Sequence, residues 1–121
     1  ITKYIIKEQI DPVLHVIKIS TSQNFVIAYE PVWAIGTGNT ATPEQAEDVH
    51  AFIRDLLETA FGKELSQKTR ILYGGSIKAD NAQALFSKPN IDGGLVGGAS
   101  LDPSGFYKII QSAASEMKHR M

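Results

Sequence analysis

One carboxylate in the chain occupies a position that suits acid–base chemistry. Glu30 directly follows the apolar run Phe25–Tyr29 and directly precedes Pro31. Because proline biases the residue before it towards extended backbone, Glu30 is predicted to end a strand. Burial at a strand end makes a carboxylate a better proton acceptor, so Glu30 is a candidate general base. A solvated carboxylate, or one paired with a nearby cation, is the alternative interpretation of this position.

Glycine clusters are the second feature with chemical potential. Eight of the ten glycines fall in three clusters, at positions 36 and 38, at 74 and 75, and at 93, 94, 97 and 98. Paired glycines let the backbone approach a ligand closely and turn successive N–H groups towards an anion. Neither Tyr73–Ser76 nor Leu95–Ser100 contains Lys or Arg, so amides and the Ser76 hydroxyl would hold that anion. One such turn is usually only a turn, whereas two at the ends of successive strands favour a phosphate site.

The connection after Glu30 is unusually long. It runs from Pro31 to Ala41, whereas loops between a strand and a helix usually have two to six residues. Its middle is rich in small residues and its near end holds Pro31 and Trp33, which is typical of a lid that moves as one piece. The alternative is a passive connection in which Trp33 packs in the core. The residues assigned to the lid are Pro31, Val32, Trp33, Ala34, Ile35, Thr37 and Gly38.

The rest of the sequence predicts elements that could position these groups. Thr42, Pro43 and Gln45 form a helix-start signal, and Gly62 is a plausible stop. Further helices are predicted at the start of the chain, from Asp80 or Asn81 to Phe86, and from Asp102–Pro103 onward. The apolar positions expected to align on the three longer helices are Ile6, Ile10, Val13 and Ile17; Ala46, Val49, Ile53, Leu56 and Ala60; and Phe106, Ile109, Ile110, Ala113 and Met117.

The predicted strands are Phe25–Tyr29, Ile71–Tyr73 and Ile91–Val96, and each is a continuous apolar run. Such runs indicate strands that are covered on both faces, as in parallel sheets. The order is a helix followed by three strand–helix units, which predicts an α/β fold with right-handed crossovers. Ligands bind at the carboxyl ends of parallel strands, so Glu30 and the glycine clusters should meet there.

Composition bounds the class of protein. The 121 residues carry a formal charge of −1, 43% are hydrophobic and none is Cys. This balance argues against a nucleic-acid surface, and no apolar run or leader suggests contact with a membrane. The lack of Cys fits a reducing compartment, and the length allows one domain, 1–121, with no second domain. The chain opens with Ile1 in an apolar-periodic segment, which suggests a part of a longer protein.

Three stretches of the chain resemble the triosephosphate isomerase family closely. They are AYEPVWAIGTG at 28–38, YGGS at 73–76, and DG followed by LVGGASL at 92–93 and 95–101. The resemblance runs in order from about Ile5 to about Ala114. It implies the C-terminal part of a (β/α)8 TIM barrel and an enzyme that interconverts dihydroxyacetone phosphate and D-glyceraldehyde 3-phosphate through an enediol.

The resemblance also implies a role for each matched position. Glu30 would be the general base, and Leu95 would lie against it, with Gly75 also in the substrate pocket. The implied phosphate-binding residues are Gly36, Ser76, Gly97 and Gly98, and the implied lid hinges are Pro31–Trp33 and Asn39–Ala41. No cofactor or metal is implied. The intact enzyme would be a cytoplasmic homodimer, and it would bind a small phosphorylated triose as its substrate.

The chain departs from the family chiefly by what it lacks. The family barrel has eight units in about 250 residues, and its electrophilic Lys and His follow the first and fourth strands, which are not in this chain. His15, His50 and His119 are interpreted as surface or helix-face histidines, and Lys78 as a solvated side chain. Asn39 and Gly94 also differ from the usual residues. The isolated chain is therefore predicted to be inactive and poorly stable.

Two other interpretations of the function also fit the sequence. The paired Gly-Gly turns alone would fit another phosphate-binding barrel enzyme. The chain could also be a non-catalytic phosphate-binding half-barrel that needs its N-terminal complement. The stretch from Glu30 to Gly38 favours the isomerase over the first alternative, whereas the second differs only in what precedes Ile1.

Overall fold

In a computed structural model of the chain, the structure describes residues 2–17, 24–31, 40–118 and 120. Helices and strands alternate along these residues, as predicted. They are α1 Thr2–Val16, β1 Val26–Tyr29, α2 Pro43–Phe61, α3 Lys63–Lys68, β2 Arg70–Tyr73, α4 Ala82–Phe86, β3 Gly93–Gly94, a 3₁₀ turn Gly98–Leu101, and α5 Pro103–Ser115. The strands form one parallel sheet in the order β1-β2-β3. The α/β class is therefore confirmed.

Local signals in the sequence set the bounds of α2. The Thr42 hydroxyl accepts a hydrogen bond from the Gln45 N–H at 3.1 Å, and the Gln45 side chain accepts one from the Thr42 N–H at 2.9 Å. At the other end Gly62 has a φ of +94°, which a glycine adopts readily, and its N–H donates to the Glu58 carbonyl at 2.8 Å. Both predicted ends are confirmed. The short helix α3 follows Gly62 and was not predicted, because its six residues carry no apolar period.

The buried face of α2 differs from the predicted stripe. Ala46, Val49 and Ile53 are buried as expected, but Leu57 is fully buried while Ala60 is exposed and Leu56 is only half-buried. The reason is that His50 and Arg54 also lie on the buried face and shift its centre towards Leu57.

The stripes of α1 and α5 need similar corrections. In α1, Leu14 is buried whereas Val13 is 45% exposed. In α5 only Ile109 is buried, and Ile110 is 49% exposed. Met117 is also exposed, because it lies past the end of the helix at Ser115.

The sheet is covered on one face only, which corrects the expectation of two covered faces. Tyr29, Ile71 and Tyr73 point to the helices and are buried, whereas Val26 is 48% exposed and Ala28 is also exposed. Side chains alternate between the faces of a strand, so the exposed residues share the second face. On β2 the same face carries Arg70 and Leu72, which are half-buried, so this face is only partly covered and is open to solvent at Val26 and Ala28.

A buried carboxylate ties the amino ends of β2 and β3 together. Asp92 accepts a hydrogen bond from the Ile71 N–H at 2.9 Å, and it forms ion pairs with Arg54 at 2.9 Å and Arg120 at 2.5 Å. Arg54 also donates to the backbone carbonyls of Ser66 and Thr69. These contacts fix the edge of the sheet opposite the glycine clusters.

The C-terminal tail, which we define as residues 116–118 and 120, packs back onto the body of the protein. The Lys118 ammonium donates to the carbonyls of Phe86 at 2.7 Å and Ile91 at 2.9 Å. The Arg120 guanidinium donates to the Gln67 carbonyl at 2.7 Å. None of the helices in the part of the chain that the structure describes is long and apolar enough to cross a membrane.

Candidate functional site

The register of the sheet brings three candidate segments to one edge. Tyr29 pairs with Tyr73, which pairs with Gly94, so the next residues along the three strands are Glu30, Gly74 and Leu95. The Gly74 N–H donates to the Tyr29 carbonyl at 2.7 Å, and the Leu95 N–H donates to the Tyr73 carbonyl at 2.9 Å. The carboxyl ends of the strands are therefore fixed against one another by their backbones.

A cavity of about 680 Å³ opens at this edge. Every predicted site residue within the described ranges lines it: Glu30, Pro31, Gly75, Ser76, Leu95, Gly97 and Gly98. The predicted convergence of the strand end and the glycine turns is thus present in the structure. The remaining predicted residues, Val32–Gly38 with Gly36 among them, lie outside the described residues, as does Asn39.

The two ends of the predicted lid border the same cavity. Pro31 and Ala41 are buried, Thr40 is exposed, and all three line the cavity wall. Both ends of the connection from Pro31 to Ala41 therefore lie at the cavity that Glu30 also lines.

Glu30 differs from the expectation in one respect. Its side chain is exposed in this chain rather than partly desolvated. The physical reason is that Glu30 continues the same side of β1 as Val26 and Ala28, and that sheet face is uncovered.

The glycines of the two turns differ in what surrounds them. A Cβ on Gly75 would collide with the Tyr73 hydroxyl, and one on Gly74 would lie 3.2 Å from the Tyr29 carbonyl oxygen. At Gly97 and Gly98 no heavy atom lies within 4 Å of where a Cβ would be. The backbone there is bare towards open space, so a ligand could approach its N–H groups closely.

The 3₁₀ turn after Gly97 is held by local bonds. The Ser100 N–H donates to the Gly97 carbonyl at 2.9 Å, and the Asp102 carboxylate caps α5 by accepting from the Gly105 N–H at 3.2 Å. The first N–H groups of a helical turn have no partner inside the turn. The turn can therefore offer amide donors to an anion in the cavity.

Lys78 is the one cationic side chain among the described residues that line the cavity, beside the acidic Glu30 and Asp102. It is exposed, as predicted for a solvated side chain. Lys78 was not predicted to line the cavity, although its position two residues after Ser76 indicated that it lies close by. Within the described residues, no three acidic or histidine side chains cluster closely enough to hold a metal ion.

His50 is the main residue that sequence reasoning misplaced. It was interpreted as a surface or helix-face histidine, yet its side chain is 0% exposed. Its Nδ1 lies 3.0 Å from the Asn90 carbonyl oxygen, and burial lowers the pKa of the imidazole. Its neighbours on α2, Val49 and Ile53, are both buried, and this was the signal that could have found it. His15 is exposed as expected, and His119 lies outside the described residues.

Comparison with known proteins shows which family of proteins the chain is similar to. The sequence model of the family described as triosephosphate isomerase matches residues 1–113. Two curated relatives named triosephosphate isomerase, from Halorhodospira halophila and Chloroherpeton thalassium, are 56% and 53% identical over 113 residues, which is 93% of the chain and 45% of each relative. A third, from Chlorobium phaeobacteroides, is 61% identical over 90 residues, covering 74% of the chain and 36% of the relative. The chain thus spans less than half the length of these relatives.

Proposed function

The chain belongs to the triosephosphate isomerase family, and from this premise we propose that it carries the general base and the phosphate-binding turns of a triose-phosphate isomerase. The reaction is the interconversion of dihydroxyacetone phosphate and D-glyceraldehyde 3-phosphate, a step shared by glycolysis and gluconeogenesis. The observation that carries the proposal is the convergence of Glu30, Ser76, Gly97 and Gly98 on one cavity. The family also sets aside the reading as a different phosphate-binding barrel enzyme.

Glu30 acts as the base in this proposal. Its carboxylate takes a proton from one carbon of the triose and returns it to the adjacent carbon through an enediol. General-base catalysis contributes about 10²–10⁴-fold to a rate. The hydrogen bond from Gly74 to the Tyr29 carbonyl supports this role because it fixes the backbone directly before the carboxylate.

The phosphate of the substrate is held by the two glycine turns, with Gly36 added from the lid. Ser76, Gly97 and Gly98 supply the amide and hydroxyl donors, and Gly75 and Leu95 complete the pocket. Closure of the lid covers Glu30, which is exposed when the cavity is open. Excluding water in this way strengthens the electrostatic interactions inside the site.

The electrophile that polarises the substrate carbonyl comes from the rest of the barrel. The chain covers 45% of the Halorhodospira halophila relative, and the uncovered sheet face with Val26 and Ala28 supports a need for the complementary strands. In the whole enzyme this chain is the C-terminal part of the barrel, and the whole enzyme is a cytoplasmic homodimer. The remaining alternative is a phosphate-binding half-barrel without catalysis.

A chimera tests the proposal. This chain replaces the matching segment of the Halorhodospira halophila relative, to which it is 56% identical over 113 residues, and isomerase turnover is measured in both directions. We expect turnover in the chimera, and a loss of at least about 100-fold in the Glu30→Gln variant because the base is removed. Glu58→Gln, an exposed carboxylate on α2, is the matched control and should leave turnover unchanged.

The results of this experiment distinguish an isomerase with Glu30 as its base from a non-catalytic half-barrel. Full turnover in the Glu30→Gln chimera would refute Glu30 as the base. A folded chimera that binds inorganic phosphate but has no turnover would favour the non-catalytic half-barrel.

A further inference from the structure

The side chain of Asn81 bridges two backbone groups on either side of Ile77. Its Nδ2 donates a hydrogen bond to the Ser76 carbonyl at 3.0 Å, and its Oδ1 accepts one from the Lys78 N–H at 2.7 Å. A carbonyl can only accept and a backbone N–H can only donate, so both partners fix the same orientation of the amide. Asn81 directly precedes α4 and is not one of the residues that line the cavity. Its amide therefore holds the backbone next to Ser76 from outside the cavity.

The backbone before Ser76 restrains this residue only weakly. Gly74 and Gly75 precede it, and glycine has the greatest conformational freedom of all residues. The Ser76 side chain is exposed, so packing in the core does not fix it. The arrangement of Ser76 at the cavity therefore depends on contacts made by the residues that follow it.

The residues after Ser76 are anchored in the body of the protein. The Ile77 side chain is 4% exposed, and it lies so close to Gly94 that a Cβ on this glycine would collide with the Ile77 Cδ1. The Lys78 carbonyl accepts a hydrogen bond from the Asn81 N–H at 3.2 Å. Among the hydrogen bonds of the described residues, the one from the Asn81 amide is the one that reaches Ser76 itself.

We propose that Asn81 is a positioning residue for the substrate phosphate: its side-chain amide fixes the Ser76 peptide, so that the donors of Ser76 are in place before the anion arrives. Donors that are already ordered bind more tightly, because their ordering costs nothing at the moment of binding. This inference rests on the proposed function, in which Ser76 holds the phosphate.

Two substitutions of Asn81 in the chimera separate positioning from ordinary stabilisation. Asn81→Ala removes both side-chain hydrogen bonds. Asn81→Asp keeps an acceptor for the Lys78 N–H and loses the donor to the Ser76 carbonyl. Because an aspartate is favourable at the start of a helix, Asn81→Asp should lower the midpoint of urea denaturation less than Asn81→Ala does.

Gln83, on the same helix, provides the matched control. Its Nε2 donates to the Glu116 carboxylate at 2.6 Å, and its Oε1 accepts from the Ser115 hydroxyl at 3.2 Å. Gln83→Ala thus removes two side-chain hydrogen bonds of an amide on α4, and neither of them involves the turn at Ser76. This variant measures what the loss of contacts of α4 alone does to substrate binding.

The measured quantities are kcat, KM and the inhibition constant of inorganic phosphate. We expect Asn81→Ala and Asn81→Asp each to raise KM and the inhibition constant about fivefold, the effect of one hydrogen bond. The change in kcat should be smaller, because the phosphate is bound before and during the reaction and does not itself react. Gln83→Ala should leave both constants unchanged. Unchanged constants in Asn81→Asp would overturn the proposal, since that variant lacks the bond to Ser76 and keeps the bond to Lys78.

High salt separates the effect of the new charge in Asn81→Asp from the effect of the lost hydrogen bond. Repulsion between the carboxylate and the phosphate is screened at an ionic strength of about 1 M, where the Debye length is about 3 Å. We expect the ratio of the inhibition constants of Asn81→Asp and the unsubstituted chimera to persist at that salt concentration. A ratio that falls to one would assign the effect to charge and contradict the role of the bond to Ser76.

Calorimetric titration of the chimera with inorganic phosphate gives a readout that does not depend on turnover. If the chimera binds phosphate without turnover, the proposed function fails, and the affinities of the two Asn81 variants still decide the role of Asn81. Full turnover with equal phosphate affinity in all variants would overturn this inference alone. A chimera that binds no phosphate would overturn both.

Discussion

The imidazole of His50 lies in the core, where several groups act on its protonation. Burial lowers its pKa from the ordinary value of 6.5, and this effect outweighs the hydrogen bond to the Asn90 backbone and the nearby carboxylates of Glu47 and Asp92, which raise it. The charge of Arg54 lowers it further. The rings of Tyr29 and Tyr73 pack against the imidazole at centroid distances of 5.9 and 6.1 Å and supply much of its apolar surroundings.

The lowered pKa of His50 predicts a stability that depends on pH. The unfolded chain takes up a proton at this histidine near pH 6.5, before the folded chain does. The neutral ring therefore makes its full contribution to the free energy of unfolding above pH 6.5, and this contribution is lost as the pH falls below that value. We expect the free energy of unfolding of the chimera, measured with urea, to fall between pH 7.5 and pH 5.5, and to fall less in His50→Gln. An equal slope in His50→Gln and in the unsubstituted chimera would contradict the assignment.

The positions of the candidate site residues could be predicted from the sequence where the backbone alone sets them. Glu30, Ser76 and Gly97 follow strand ends, and parallel strands bring such ends together whatever the side chains do. His50 could not be placed in this way, because apolar periodicity counts only apolar residues. Its place beside Val49 and Ile53 indicates the face of the helix, but whether a polar side chain there is buried depends on its partners, here the Asn90 carbonyl and the tyrosine rings.

At the level of elements, local chemistry was predictable and tertiary packing was not. The cap at Thr42 and Gln45 and the stop at Gly62 depend on residues within one turn, and they occur where the sequence predicts them. The stripe of α2 depends on what lies opposite the helix. Because Arg54 is buried through its pair with Asp92, the buried face is wider than the apolar residues alone suggest.

The C-terminal tail shows the same limit, since neither periodicity nor capping predicts its place. Lys118 and Arg120 lie beyond the residues matched by the family, which end at 113, yet both contact the body of the protein. Arg120 meets the same Asp92 that pairs with Arg54, and its side chain is only 12% exposed. The tail thus adds a second cation to a carboxylate that is 3% exposed.

This geometry predicts that Arg120 stabilises the fold. In Arg120→Ala, Asp92 keeps Arg54 but loses one charged hydrogen bond in a buried place, so we expect a loss of about 2 kcal/mol in the free energy of unfolding. Urea denaturation of the chimera measures it. Lys108→Ala, an exposed cation on α5, is the control and should change the stability by less than about 0.5 kcal/mol. A loss as small as the control's would show that the tail is not held by Arg120.

For the whole molecule, the alternation of strands and helices predicted the class of fold and the edge of the sheet at which the candidate site residues meet. It did not predict that one sheet face stays open in this chain, because the apolar runs predict cover on both sides. The exposed Val26 and Ala28 account for the difference. Val26 and Ala28 face the side that the remaining strands of a barrel would cover. The apolar character of the strands therefore fits a complete barrel, whose sheet is covered on both faces, better than it fits this chain alone.

The open face predicts how the 121-residue chain behaves by itself. The edges of β1 and β3 have no further strand in the described sheet, and unpaired edges beside an apolar face favour association. We expect the isolated chain to bind the dye ANS, to self-associate in analytical ultracentrifugation and to show no isomerase turnover. The chimera, in which the missing strands cover Val26 and Ala28, should bind less ANS and regain turnover. Val26→Lys in the isolated chain removes apolar surface from the open face, so it should reduce self-association. The control is Glu58→Lys, at an exposed position on α2, which should leave self-association unchanged. A monomeric isolated chain with turnover equal to that of the chimera would contradict both the proposed need for complementary strands and the role of the open face.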